Sequence, residues 1–142
     1  MRSNPQVLAR ALIRSGGRVL LARSRGSRNA RLPGGHVEPG EPVERALERE
    51  LAEELGLKRA ARRYLGTIRH FRERDGRRLP AVDHVFEVSD ASLSWASAPP
   101  SLEPHLEFVW ALQGALEREN LKPRVLIALI RGEWPPRRPR TI

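Results

Sequence analysis

The chain contains no cysteine. Disulfides and thiolate metal sites are therefore excluded, and the redox state of its compartment is left open. It also lacks any apolar run near the ~18 residues of a membrane-spanning helix. Its start, MRSNPQVLARALIRSGG, has charges breaking the apolar part and no signal-peptide core. The expectation is a cytoplasmic protein with no membrane partner. Aromatic residues are scarce, at 5%. Lysine is scarcer: of 26 basic residues only Lys58 and Lys122 are lysine, and the other 24 are arginine.

What is present is enough for one domain with a real core: 142 residues, 39% of them hydrophobic. The single domain is expected over 1–134, with a basic Pro/Arg-rich tail, disordered, over 135–142. The net charge of +9 invites a nucleic-acid reading. Heavy arginine usage with 12 prolines is equally a compositional bias, and a phosphorylated small substrate would use the same field. Nucleic acid is thus a possible partner but not the favoured one.

Strands are expected at QVLARALI (Gln6 to Ile13) and RVLLARS, joined by the turn SGGR. ARRYLGTIRHFRER and PAVDHVFEVS read as a hairpin about Asp75–Gly76, and HLEFVWAL as a late strand. KPRVLIALIRG reads as a closing helix with Val125, Leu126, Leu129 and Ile130 on one face. Strands before a central helix, a hairpin after it and a helix at the end suit an α/β (α+β) sandwich.

The central helix lies within GGHVEPGEPVERALERELAEELGL, Gly34 to Leu57. Pro42 suits a helix start, and Gly56 suits a left-handed cap at its end. At about 100° per residue, Leu47, Leu51 and Leu55 form an apolar stripe. Glu50, Glu53 and Glu54 then crowd an arc beside it. Like charges at this spacing disfavour the helix by about 0.2–0.5 kcal/mol per pair, and their place near its C-terminus opposes the macrodipole. Two explanations stand open. One is a solvated acidic face with Arg45, Arg49 and Lys58 as partners. The other is a divalent cation, which would turn repulsion into ligation. Oxygen-only ligands favour Mg²⁺ or Mn²⁺ over Zn²⁺, and a carbonyl of the glycine-rich loop LPGGHVEPGE can be a further ligand.

Gly35, five residues, Glu41, seven residues and then RELAEELGL resemble the Nudix box of the MutT/Nudix hydrolases. Nine defined positions at fixed spacing make the match specific. The resemblance implies an α/β/α sandwich with a mixed sheet. It also implies Mg²⁺-dependent hydrolysis of a nucleoside diphosphate linked to another group, with Mn²⁺ as a substitute ion. By that resemblance Gly35, Glu50, Glu53 and Glu54 hold metal, and Arg49 pairs with Glu41 to brace the loop. A glutamate before a tryptophan on a late strand, here Glu107 before Trp110, would reach the metal. Glu107 as a solvent-facing strand residue is the alternative.

Arg14, Arg23 and Arg25 lie on or after the first hairpin and are candidates for gripping phosphate. Trp95 lies in a loop that could flank the pocket, whereas Trp110 reads as core. His70 and His84 read as structural. Markers of the coenzyme A, ADP-ribose, dinucleoside polyphosphate and NADH subfamilies are absent or misplaced. By elimination a nucleoside triphosphate or related small nucleotide is the expected substrate, acted on by a monomer or homodimer. An RNA-directed hydrolase or RNA-binding module, and a catalytically silent interaction domain, are the rival readings.

Overall fold

The computed structural model describes residues 4–133, so the tail expected over 135–142 lies outside the described residues. Seven strands form one mixed sheet: β1 Gln6–Ser15, β2 Arg18–Ser24, β3 Ala30–Arg31, β4 Gly34–His36, β5 Ala61–Arg74, β6 Arg77–Ser89 and β7 Leu106–Leu112. The helices are α1, Val43–Leu55, and α2, Leu126–Ile130, and a 3₁₀ stretch covers Gln113–Glu119. Among the described residues no helix is long and apolar enough to cross a membrane.

The sheet is built around β1. It turns into β2 through Gly16 and Gly17, both at positive φ, but only Arg14↔Val19 and Ser15↔Arg18 pair before the strands diverge. The freed half of β1 pairs antiparallel with β4 on one side and parallel with β6 on the other. β2 takes β3 and β7 as antiparallel neighbours. The β5–β6 hairpin turns at Asp75–Gly76 as expected, although β6 begins at Arg77, before Pro80. The glycine-rich segment, expected as loop, contains β4, because Gly34–His36 supply the backbone partners for Leu8–Arg10.

Helix α1 begins after Pro42 and is closed by Gly56 in the left-handed region; the Gly56 N–H donates to the Ala52 carbonyl and the Leu57 N–H to the Leu51 carbonyl. It buries Ala46, Leu47 and Leu51 against Ala9, Ile13, Leu20, Phe86 and Phe108. Each such leucine contributes about 1.5–3 kcal/mol through burial. The opposite face of the sheet presents Leu12, Val19, Leu21 and Val85 to Leu116, Leu126, Leu129 and Ile130. The two layers make the α/β/α sandwich the pattern implied, with a closing helix of only five residues.

Candidate active site

Two glycines set the approach of β4 to α1. Gly34 has φ 132°, and a Cβ there would fall 2.0 Å from the Ala9 carbonyl oxygen. A Cβ on Gly35 would fall 2.6–2.7 Å from the Glu50 carboxyl group. At Gly34 only glycine lets the backbone lie this close to β1, whereas a side chain at Gly35 would displace the Glu50 carboxyl group.

Glu54 is 3% exposed. Its Oε2 accepts from the Gly34 N–H at 3.0 Å, and its Oε1 stands 3.5 Å from Arg31 Nη2. Burial pushes its carboxyl up to about 7, against the lowering effect of the Gly34 hydrogen bond and the Arg31 charge. Glu50 is likewise raised by burial, opposed by the 2.9 Å hydrogen bond from Arg49 Nη1. Glu53 differs: its side chain is 48% exposed and lies 3.6 Å from Arg49 Nη1.

Arg49 also braces the loop. Its Nε and Nη2 donate to the two oxygens of Glu41, each at 2.9 Å, and Nη2 donates to the His36 carbonyl. The Arg49 hydrogen bonds hold the Glu41 carboxyl down at about 2. The Glu38 side chain takes no part in this; its N–H donates to Glu41.

The acids open into a cleft of about 350 Å³ lined also by Arg10, Arg31, Arg72, Glu103 and His105. Arg10, Arg31 and Arg72 are shared with an adjoining cavity of about 910 Å³ on the α2 side of the sheet. Its floor holds Arg10, Asp83 and His70, and its rim holds Arg69, Phe71, Arg78 and Lys122. Arg10 is 6% exposed, donates to the Leu32 carbonyl at 3.2 Å, and is drawn down to about 10 by burial, with Asp83 opposing.

Among the described residues no three histidine, cysteine, aspartate or glutamate side chains gather closely enough to hold a metal ion. Glu50 and Glu54 line one cleft with Gly35, while Arg49 draws Glu53 to the side. The donor set is nonetheless all hard oxygen, and a divalent cation would favour the ionisation that burial opposes in Glu50 and Glu54. The donor chemistry suits a hard divalent cation.

The other candidates lie elsewhere. Arg14 donates to Glu87, Gln113 and the Ile130 carbonyl, tying β1 to β6 and the C-terminal elements. Arg23 is held by the Glu119 carbonyl and side chain, and Arg25 by the Pro104 carbonyl. None of the three lines the cleft or the adjoining cavity. Glu107 pairs with Arg23 and alternates with Phe108, which packs toward α1, so it points to the opposite face. The carboxylate that does line the cleft is Glu103, in the loop before β7, where the Leu102 N–H donates to the Glu54 carbonyl and docks the loop on α1.

Trp95 packs on Gly16 and under the Arg18 guanidinium, away from both cavities. Trp110 is partly buried against the α1 core and donates to the Ser97 carbonyl. His84 contacts Tyr64 and Thr67, whereas His70, read as structural, lines the cavity and bonds Asp83. Arg10 and Asp83 were legible only as charges inside the mainly apolar strand runs VLARALI and PAVDHVFEV.

The NUDIX domain model matches residues 3–126, and the chain belongs to the Nudix hydrolase family. It is similar to the E. coli ORF135 protein: 30% identity, 89% of this chain and 86% of that chain covered, TM-score 0.62. A MutT NUDIX hydrolase from Burkholderia pseudomallei is 32% identical over 79% of this chain and 86% of that chain, with TM-score 0.60. An RNA pyrophosphohydrolase of Cronobacter sakazakii is 44% identical over 55 residues, which is 39% of this chain and 31% of that protein. The chain thus spans about a third of the length of the curated relatives it matches.

Proposed function

We propose that the protein is a Mg²⁺-dependent pyrophosphohydrolase acting on a nucleoside triphosphate or a related small nucleotide. The observation that carries this reading is the meeting of buried Glu54 and partly buried Glu50 with Arg10, Arg31 and Arg72 at the mouth of a nucleotide-sized cavity. Glu50, Glu53, Glu54 and the Gly35 carbonyl would hold Mg²⁺, or Mn²⁺ in its place. Such an ion, when bound, neutralises pyrophosphate oxygens and acidifies a water.

The remaining work falls to the chain's own residues. Arg31 and Arg72 clamp the phosphates and keep their charge away from the incoming water. Glu50, with its raised proton affinity, accepts the water's proton, and Arg49 holds Glu50 and the glycine loop in register. Glu103 brings a further carboxylate from the facing loop.

The test is a panel of nucleoside phosphates incubated with and without Mg²⁺ and scored for released phosphate, pyrophosphate and nucleotide. Turnover of at least one small nucleotide, abolished by chelator, is the expected result. A second reading, an RNA 5′-end substrate, is favoured by the cations Arg69, Arg78 and Lys122 on the cavity rim, beyond the cleft. Turnover of triphosphorylated RNA alone, falling steeply with salt, would select it. No turnover of either class would leave the silent interaction domain, which the complete set of box acids argues against.

A further inference from the structure

Asp83 is 1% exposed, yet it lies on the floor of the large cavity. Its Oδ1 takes the hydrogen bond of His70 Nε2 at 2.9 Å. Its Oδ2 stands 3.9 Å from Arg10 Nε, too far for a hydrogen bond. A buried ion pair serving only stability is expected to close such a gap, because desolvating two charges is repaid only by good geometry. Here the gap leaves an acceptor and a donor side by side at the bottom of an open cavity.

Charge decides which end of a nucleotide reaches them. The cavity lining carries Arg10, Arg31, Arg69, Arg72, Arg78 and Lys122 against only Glu73 and Asp83. Its positive end is continuous with the acid cleft along Arg31 and Arg72, so phosphates settle there. An anionic phosphate is repelled from Asp83. The group left over Asp83 is the uncharged one, the base.

We propose that Asp83 is a specificity-determining residue that accepts a hydrogen bond from the exocyclic amino group of the nucleobase, with Arg10 donating to the ring or carbonyl acceptor beside it. His70 fixes the carboxylate. This inference rests on the nucleotide reading given above. A base lacking the amino group leaves a buried carboxylate oxygen unpaired, and such losses discriminate strongly.

The test compares GTP with ITP, and CTP with UTP, on the full chain with Mg²⁺. Each pair removes or replaces one amino group. The amino-bearing member of the pair that is turned over is expected to have a kcat/KM roughly tenfold or more higher. The same ranking is expected in calorimetric binding of the α,β-methylene analogues, which needs no hydrolysis. Asp83→Asn, whose amide can donate, should erase the preference or shift it toward UTP, with its fold checked by its melting curve.

Equal kcat/KM and equal binding within both pairs on the wild type would overturn the inference even if Asp83→Asn fails to fold. So would a preference that Asp83→Asn leaves unchanged, a preference governed by the ribose 2′-hydroxyl alone, or no nucleotide binding at all. Binding discrimination without any hydrolysis would sink the proposed activity and keep the role of Asp83. Hydrolysis without discrimination would do the reverse.

Discussion

The two faces of the sheet carry different burdens. On the α1 face a thirteen-residue helix covers the strands, and the apolar core runs out to the acids at its flank. On the other face the cover is a 3₁₀ stretch and a five-residue helix, packed over a cluster that includes Leu12, Val19, Leu21, Ile68 and Val85. Beyond that cover the same face presents Arg10, Asp83 and His70 to a cavity. A long helix makes a platform; a short one leaves room for a ligand. The site stands where β1 connects the two, with Arg10 lining both spaces.

The comparison can be broken most severely on the α1 face. Glu50→Gln or Glu54→Gln is expected to lower kcat roughly a hundredfold or more, with partial rescue by excess Mn²⁺. Glu53→Gln should follow the same direction if metal draws its exposed carboxylate inward. Glu44→Gln and Glu48→Gln should stay near the wild-type rate, since Glu48 meets only Arg62 at the surface. Equal losses across all five variants in steady-state assays would mean a diffuse acidic field, and the division by position would be gone.

A smaller effect is expected from the brace. Arg49→Ala should lower activity about tenfold to a hundredfold by loosening Glu50 and the glycine loop, with a normal circular dichroism spectrum. Unchanged turnover would show that Glu41 and Arg49 do not support the site.

The cavity face makes the opposite prediction for the arginines bound into the framework. Arg14→Ala and Arg23→Ala are each expected to lower stability by about 1–2 kcal/mol through the carbonyl and carboxylate partners left behind. Denaturant unfolding measures this, and kcat/KM should change little. A large kcat/KM loss with intact stability would return them to the substrate site.

The smallest effect is in pH. Glu54 has its folded value raised from 4.5 to about 7, so the folded, metal-free protein binds its proton more tightly than the unfolded chain. The stability tied to that proton is fully present below about pH 4.5 and is lost as pH rises toward about 7. Melting temperatures in chelator, taken as wild type minus Glu54→Gln, should therefore fall across this window. Mg²⁺ should raise the wild-type melting temperature most above pH 7, where the carboxylate is free to ligate. A flat difference curve, or no shift with Mg²⁺ or Mn²⁺, would show that burial of Glu54 is not what distinguishes the α1 face.

Local chemistry explains what was readable. The helix bounds follow from Pro42 and Gly56 and the hairpin turn from Asp75–Gly76, while the Glu41–Arg49 brace was implied by the resemblance to the Nudix box. Glu107 lies outside the cleft by a simple alternation: one residue along β7 switches faces, and the cleft meets the loop four positions earlier at Glu103. Three arginines lie outside both spaces for a different reason. Arg14, Arg23 and Arg25 are chemically identical to Arg10, Arg31 and Arg72, and only packing distinguishes a framework clamp from a cavity wall.

By itself, then, the sequence determined the loop, the helix and the three acids with their arginine, because each depends on contacts within about two dozen neighbouring residues. Tertiary structure alone decided the cavity. Arg10 on β1, Asp83 on β6 and His70 on β5 come together through a parallel β1–β6 pairing and an antiparallel hairpin. Local propensity does not encode such a pairing, because it is selected by burying both faces of the sheet at once.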